Sequence, residues 1–360
     1  MNPERIDLFA LNLDGLKRLM TEWGQPAFRA AQLHRWIHDR HAPSFSAMTD
    51  LPAAFRAELE AHARLGVLEL ADEQQSRDGT RKRLYRLPDG QLIESVLMPY
   101  QDGRRTACIS SQAGCAMACA FCATGQMGFA RHLSAAEIVE QAWRFDQELK
   151  AAGERLSNVV LMGMGEPFHN FDSVIEAIRQ LNDTMGIGAR HITVSTVGLV
   201  PQIDQFASLG LQVKLAISLH YTRDADRNER MPINRRWPIA ELIAACHRYV
   251  EATGRRITFE WALIAGENDS VSEASRLAEL LRGLRCHVNL IPLNPTRGYP
   301  GAPSSASNVE QFVTTLERAG IPATVRVRRG IDIDAGCGQL KSKRERAGGS
   351  RDGLEGDPGV

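Results

Sequence analysis

The chain has 360 residues, and its 43 lysines and arginines balance 43 aspartates and glutamates, a formal net charge of zero. Hydrophobic residues make up 43% and charged residues 24%, the mix of an ordinary globular protein with room for one large domain and a small one. No apolar run approaches the roughly 18 residues of a membrane helix, Met1-Asn2-Pro3-Glu4-Arg5 lacks the layout of a secretory signal, and the charge balance argues against a bulk polycation that grips nucleic acid by charge alone.

Residues 1–66 predict short amphipathic helices. Leu8, Leu11, Leu16, Leu19 and Met20 form one stripe and Phe28, Leu33, Trp36 and Ile37 a second, and Ala53 to Leu65 a third helix after Asp50-Leu-Pro. His34, His38 and His41 read as a helix surface rather than a zinc site. Residues 67–103 read as a β-rich linker, with strands at Val67–Leu70, Arg81–Leu87 and Gln91–Met98 between the turn signals Asp78-Gly79 and Pro88-Asp89-Gly90. From residue 104 strands and helices alternate. Strands are expected at Thr106–Ser111, Asn158–Met162, His191–Ser195, Gln212–Leu219, Arg256–Leu263, His287–Ile291 and Thr324–Arg328. Helices are expected over 134–150, 172–182, 201–208, 239–252, 271–283 and 307–319, the first opening on the capping box Ser134-Ala-Ala-Glu137. This alternation implies a parallel sheet, and six units are too few for a closed eight-fold barrel. The expected fold is α/β, a partial (β/α)6 barrel over 104–340 with a small N-terminal helical domain and a β-rich linker. Residues 341–360 read as a basic, then Gly-rich, disordered tail.

The polar signals fall where such a sheet binds ligands, after the carboxyl ends of strands. Cys115-x3-Cys119-x2-Cys122 follows the first core strand and Gly163-Met-Gly165-Glu166-Pro167 the second. Ser195-Thr196 ends the third, Ser218-Leu219-His220 the fourth, Asn294-Pro295 follows the sixth, and Gly330 to Gln339 with Cys337 follows the last. Six such segments on one rim argue for a single large site.

Seven cysteines are an odd number, and without a secretory signal they point to a reducing cytoplasm rather than a disulfide framework. Cys246 and Cys286 sit in apolar periodic segments and read as small core residues. Three cysteines at spacings of three and two suit a [4Fe–4S] cluster with one iron left open. Structural zinc, the alternative, needs a fourth ligand that no nearby residue obviously supplies.

The cysteine loop after the first strand of an α/β barrel resembles the radical S-adenosylmethionine (SAM) superfamily. Cys108-Ile-Ser-Ser-Gln-Ala-Gly-Cys115, Met162 to Pro167, Ile217-Ser-Leu-His220, Asn289 to Pro295 and Ile333-Asp-Ala-Gly-Cys337-Gly-Gln339 together resemble its RlmN/Cfr family of RNA methyltransferases, most closely the adenine-C2 branch. The resemblance runs to about residue 340. It implies that Cys115, Cys119 and Cys122 hold the cluster and that two SAM molecules are used per turnover. It further implies that Cys337 carries the methyl group as S-methylcysteine, that Cys108 forms a transient disulfide with Cys337, and that Glu94 is the proton acceptor. Gly165, Glu166, Ser195, Ser218, Leu219, His220 and Asn294 are the implied SAM contacts. The implied substrates are 23S rRNA and tRNA, with an RNA-binding N-terminal domain, an electron donor such as flavodoxin, a monomeric state and no membrane partner. A radical route suits C2 of adenine, an electron-poor carbon with no polar path to methylation. Three departures stand out: Ala335-Gly336 where two alanines are usual, Phe168-His169 where aliphatic residues are usual, and one extra residue between Glu94 and Cys108. The alternatives are a C8-methylating relative and a non-catalytic RNA-binding protein with a structural zinc or cluster; a structural module has no use for Cys108 and Cys337.

Phosphate contacts need local rather than global positive charge. From Arg326 to Arg346 seven basic residues face three acidic ones, and Arg81-Lys82-Arg83, Arg104-Arg105, Arg235-Arg236 and Arg255-Arg256 add basic clusters, each by itself more often a solvated face.

Overall fold

The computed structural model describes residues 5–296 and 298–340, so the tail from 341 onward, with the basic residues expected there, lies outside the described residues. Helices α1 (Leu13–Glu22), α2 (Phe28–His38) and α3 (Ala53–His62) are bracketed by the short parallel strands β1 (Ile6–Asp7) and β2 (Ala63–Arg64). Asn12 starts α1 by accepting the Gly15 N–H on its side-chain oxygen at 2.9 Å. Leu16, Leu19 and Met20 of α1 and Leu33 and Ile37 of α2 are buried, as their spacing predicts.

The next three strands, β3 (Glu69–Gln75), β4 (Arg81–Arg86) and β5 (Leu92–Pro99), are antiparallel, and β5 pairs in turn with β6 (Arg105–Cys108). β7 (Gln112–Gly114) and β8 (Phe129–His132) form a separate ribbon around the cysteine loop, which also contains the short helix α4 (Ala123–Gln126). From β6 onward, β9 (Asn158–Leu161), β10 (Ile192–Thr196), β11 (Lys214–Ser218), β12 (Ile257–Leu263), β13 (Cys286–Pro292) and β14 (Ala323–Val325) pair in parallel. All ten strands from β3 to β6 and β9 to β14 make one sheet. Helices α5 (Ala135–Ala151), α6 (Phe171–Arg179), α7 (Val200–Ser208), α9 (Ile239–Thr253), α10 (Val271–Leu280) and α11 (Ala306–Arg318) are the crossovers, and α8 (Asp224–Arg230) is an additional short helix before α9. The Ser134–Glu137 capping box opens α5 as expected.

The segment expected as a β-rich linker therefore extends the core sheet. Its first strand runs to Gln75 rather than ending at Leu70. Every residue of β3 is exposed, so it shows no apolar alternation, and its charges suit an edge strand. The two ends of the sheet meet. Ser76 Oγ donates to Asp332 Oδ1 at 2.5 Å and Gly330 N to Asp78 Oδ2 at 3.0 Å, so the turn between β3 and β4 clasps the loop after β14 and the sheet curls into an open barrel.

The N-terminal unit docks on α5. Trp143 Nε1 donates to the Ile37 carbonyl at 2.7 Å, and Gln147 Nε2 to that of His41 at 2.8 Å. His38 and His41, expected on a helix surface, are buried in this contact. His38 meets Phe9 edge-on, His41 stacks on Trp143 at 5.3 Å, and His41 Nε2 lies 3.1 Å from Asp146 Oδ2. Cys246 and Cys286 are core residues, as expected.

Candidate active site

Parallel strands end on one edge, and that edge carries the site. A cavity of about 170 Å³ is lined by Cys115, Cys119 and Cys122, by Gly163, Gly165 and Glu166 after β9, by Ser195 and Ser218 at the ends of β10 and β11, and by His220, Asn294 and Cys337. An adjoining narrow cleft is lined by Cys108, Cys337, Asn294, Arg326, Met98 and Met162. The structure thus brings together most of the residues picked from sequence. Leu219 is fully buried beside the cavity and outside its lining. Glu94 also lies outside the lining residues, on the face of β5 that Val96 and Met98 share, and Val96 pairs with Cys108.

The cysteine loop is shaped by its backbone. Ala118 takes the left-handed conformation at φ 53°, which turns the chain between Cys115 and Cys119. Cys115 N–H is anchored on the Gly128 carbonyl at 2.8 Å and Ala120 N–H on that of Arg230 at 2.9 Å. Gly125 must lack a side chain, because a Cβ there would stand 2.9 Å from backbone atoms of Cys119. Burial pushes the thiols of Cys115 and Cys108 up to about 12, and those of Cys119 and Cys122 upward as well. Three cysteines lining one cavity fit an iron–sulfur group, whose usual ligands are thiolates. Among the described residues no three His, Cys, Asp or Glu side chains gather closely enough to hold one ion.

The cavity wall fits a ligand with amine, carboxylate and hydroxyl groups. Asn294 Nδ2 donates to the Cys337 carbonyl at 3.1 Å, while its Oδ1 is buried at the wall with no partner. The Ser195 and Ser218 hydroxyls stand 3.4 Å apart. His220 Nδ1 accepts the Ala262 N–H at 2.9 Å, which fixes the neutral ring with its proton on Nε2; burial holds its pKa down at about 3. Gly163 and Gly165 make the close approach between β9 and the loop after β6. A Cβ at Gly163 would sit 2.7 Å from the Ile109 carbonyl, and Gly165 has φ +101°. Glu166 is buried and its carboxylate faces inward. One oxygen accepts the Phe168 N–H at 3.0 Å and the other the Val197 N–H at 2.9 Å, and burial pushes its pKa up to about 7.

Five residues to which sequence reasoning gave no role in the site support it. Gln112 Oε1 accepts the Glu166 N–H at 2.9 Å, and its amide nitrogen lies 3.0 Å and 3.1 Å from the Nδ1 atoms of His132 and His169. Arg227, 1% exposed, donates to the Leu219, Val197 and Ser218 carbonyls and to Asn234, a rigid brace near Cys119. Glu260 on β12 is bound by Asn289 at 2.7 Å and faces Arg326. Lys82 Nζ lies 3.3 Å from Glu94 Oε1. Arg326 stands among Cys337, Cys108 and Glu260, and the acidic groups around it favour its charged form. Gln112 lies within the Cys108–Cys115 motif, but its partner Glu166 is 54 residues away; no local motif marks Arg227, Glu260, Lys82 or Arg326 as part of the site.

Two family models match the chain. One, described as the radical SAM superfamily, covers residues 109–278; the other, the ribosomal RNA large subunit methyltransferase N-terminal domain, covers residues 6–65. The chain is 50% identical over 343 residues to dual-specificity RNA methyltransferase RlmN 1 of Myxococcus xanthus, covering 94% of this chain and 95% of that one. It is 49% identical over 350 residues to a probable dual-specificity RNA methyltransferase RlmN of Chloroflexus aurantiacus, covering 93% of each. The crystal structure of a radical SAM methyltransferase from Sphaerobacter thermophilus superposes with a TM-score of 0.91 at 50% identity, covering 93% of this chain and 99% of that one. Membership of the radical SAM superfamily brings with it a [4Fe–4S] cluster and SAM as cofactors. With half the residues identical over nearly the whole length, the chain belongs to the RlmN family of radical SAM RNA methyltransferases.

Proposed function

We propose that this enzyme methylates C2 of an adenosine in 23S rRNA and in tRNA, with Cys337 as the methyl carrier and Cys108 as the thiol that releases the product. The observation that carries this reading is the cleft shared by Cys108 and Cys337, which opens beside the three-cysteine cavity. Cys115, Cys119 and Cys122 hold the cluster, and Gly165, Glu166, Ser195, Ser218, Leu219, His220 and Asn294 surround SAM. The cluster with SAM supplies the reducing electron, the methyl group and the radical chemistry that C2 demands.

The chain's own residues do the rest. Cys337, half-buried on the late loop, presents its sulfur to both cavities. Its backbone carbonyl is held by Asn294, which limits the sulfur's excursion. Cys108 is buried and kept as a thiol until the adduct forms. Its sulfur then attacks that of Cys337, making an S–S bond as the C–S bond to the base breaks; the carbon keeps the electron pair of that bond and takes up the proton the thiol gives up, completing the methyl group. Glu94, on the sheet face that Cys108 shares, takes up the C2 proton. Arg326 offsets negative charge on either sulfur. The match over residues 6–65 supports an RNA-contacting role for the N-terminal unit, and the target base must leave its stack to reach so recessed a site. An electron donor of the flavodoxin type, a monomeric enzyme and a cytoplasmic location complete the reading; no helix among the described residues is long and apolar enough to cross a membrane.

The test is anaerobic reconstitution followed by incubation with SAM, a reductant and tRNA or protein-free rRNA, with mass spectrometry of the nucleosides. A brown protein that yields 2-methyladenosine is expected. Formation of 8-methyladenosine instead overturns the regiochemistry, and a colourless zinc protein overturns the reaction class.

A further inference from the structure

Of the four basic clusters that lie outside the Arg326–Arg346 run, three have structural partners or face away from the site. Arg81 and Arg83 both pair with Glu148, and Lys82 pairs with Glu94. Arg104 is held by Asp102 at 2.8 Å and Arg105 by Glu154 at 2.5 Å. Arg255 and Arg256 precede β12, on the sheet edge opposite the cavity. Arg235 and Arg236 remain. Both are exposed, and neither makes an ion pair among the described residues; Arg236 packs over the Trp237 ring at 4.7 Å. Nearby charges are already engaged, since Arg230 is paired with Glu229 and Glu267.

These two arginines border a shallow concavity whose other walls are Pro232 and Ile233 and, from the cysteine loop, Ala116, Met117 and Ala118. Ala116 and Ala118 are exposed. Met117 is the shared wall, lining this concavity outside and the three-cysteine cavity inside. One side chain thus separates the outer surface from the cavity of the cluster ligands. The bond from Ala120 N–H to the Arg230 carbonyl fixes the arginine-bearing segment against the loop.

We infer that this concavity is the docking site of an acidic one-electron carrier protein. The inference rests on the proposed radical reaction, which needs an external electron. Electron transfer falls steeply with distance, and methyl-sized side chains at 116 and 118 let a partner's redox group come close. Two unpaired arginines steer an acidic surface there, and redox encounters are small and electrostatically guided. RNA is the less fitting occupant, because the cleft that receives the base, with Cys108, Cys337 and Arg326, shares no lining residue with this concavity. On transfer the carrier loses one electron and the iron–sulfur group gains one; no bond or proton changes hands.

The test uses reconstituted holoenzyme carrying Arg235→Glu and Arg236→Glu, with flavodoxin as the probe. Flavodoxin binding by calorimetry at low salt, and the rate at which reduced flavodoxin bleaches the enzyme's visible band, should each fall at least about tenfold. Methylation driven by dithionite, and tRNA affinity, should be unchanged. Unchanged flavodoxin binding and bleaching overturn the inference. Loss of tRNA affinity with flavodoxin binding intact assigns the face to RNA and also overturns it. If wild-type enzyme with dithionite makes no methyladenosine, the proposed function has failed, and the binding and bleaching measurements still decide the docking site.

Discussion

Ala123 N–H donates to the Gly338 carbonyl at 2.7 Å, so the helix that follows Cys122 is bonded to the residue that follows Cys337. Thr124 Oγ1 adds a second tie, to the Leu340 carbonyl, also at 2.7 Å. The loop that carries three cysteines and the loop that carries the proposed methyl carrier are therefore tied directly to each other. This explains how a sulfur on a turn with positive φ at Gly330, Asp334 and Gly338 is kept in register with its chemistry.

Thr124→Val keeps the shape and removes the tie, leaving a buried carbonyl without its donor. The variant should lose about 1–2 kcal/mol of stability by urea unfolding. It should also carry less methyl on Cys337 as purified, read by mass spectrometry of the peptide. Full methyl occupancy at reduced stability would show that the tie serves the fold alone.

Cys108→Ala removes the thiol proposed to free the product. The variant should accumulate a covalent protein–RNA species that resists denaturing electrophoresis, with methyladenosine release at background. Normal turnover would rule out the resolving role.

Lys82 and Glu94 form a buried pair on neighbouring strands, with side chains 10% and 7% exposed. Lys82→Met alone should cost about 3 kcal/mol, because it strips a buried carboxylate of its cation. The double variant Lys82→Met, Glu94→Leu should recover much of that loss. Additivity of the two single changes within about 0.5 kcal/mol would show that the pair is not coupled.

His38 sets a pH dependence in the N-terminal unit. Burial drives its pKa down to about 3, and its Nδ1 has no partner. The unfolded chain takes up a proton near pH 6.5 that the folded chain refuses until about pH 3. Stability from this group is whole above pH 6.5 and is lost as pH falls through that window, at up to about 1.4 kcal/mol per pH unit. His38→Leu should flatten the decline in urea midpoint between pH 7.5 and 5.5; an unchanged slope would assign the acid sensitivity elsewhere.

Much of the site was legible because its signals are local. Three cysteines within eight residues, a Gly-Met-Gly-Glu-Pro turn and a serine ending each of two strands need no knowledge of distant partners. The strands from β10 to β13 were equally plain as apolar runs between helices. What escaped were features decided by residues far along the chain. Arg81-Lys82-Arg83 reads as a basic cluster on a solvated face until Glu148 on α5 and Glu94 on β5 come alongside. His38 and His41 read as helix surface until α5 covers them. Arg227 sits in a polar stretch, Asp224-Ala-Asp-Arg-Asn-Glu-Arg, that gives no hint of a fully buried guanidinium. β3 is exposed throughout and so has no periodicity to read.

The contact between Ser76 and Asp332 joins positions 256 residues apart. On the ribosome, the turn between β3 and β4 emerges long before the loop it must grip, so the N-terminal part of the sheet waits with one edge unfilled. A chain ending before Gly330 has the three-cysteine loop but neither Cys337 nor the partners of Ser76 and Asp78. Closure of the barrel therefore waits on β14 and the loop that follows it, the last parts of the sheet to be made.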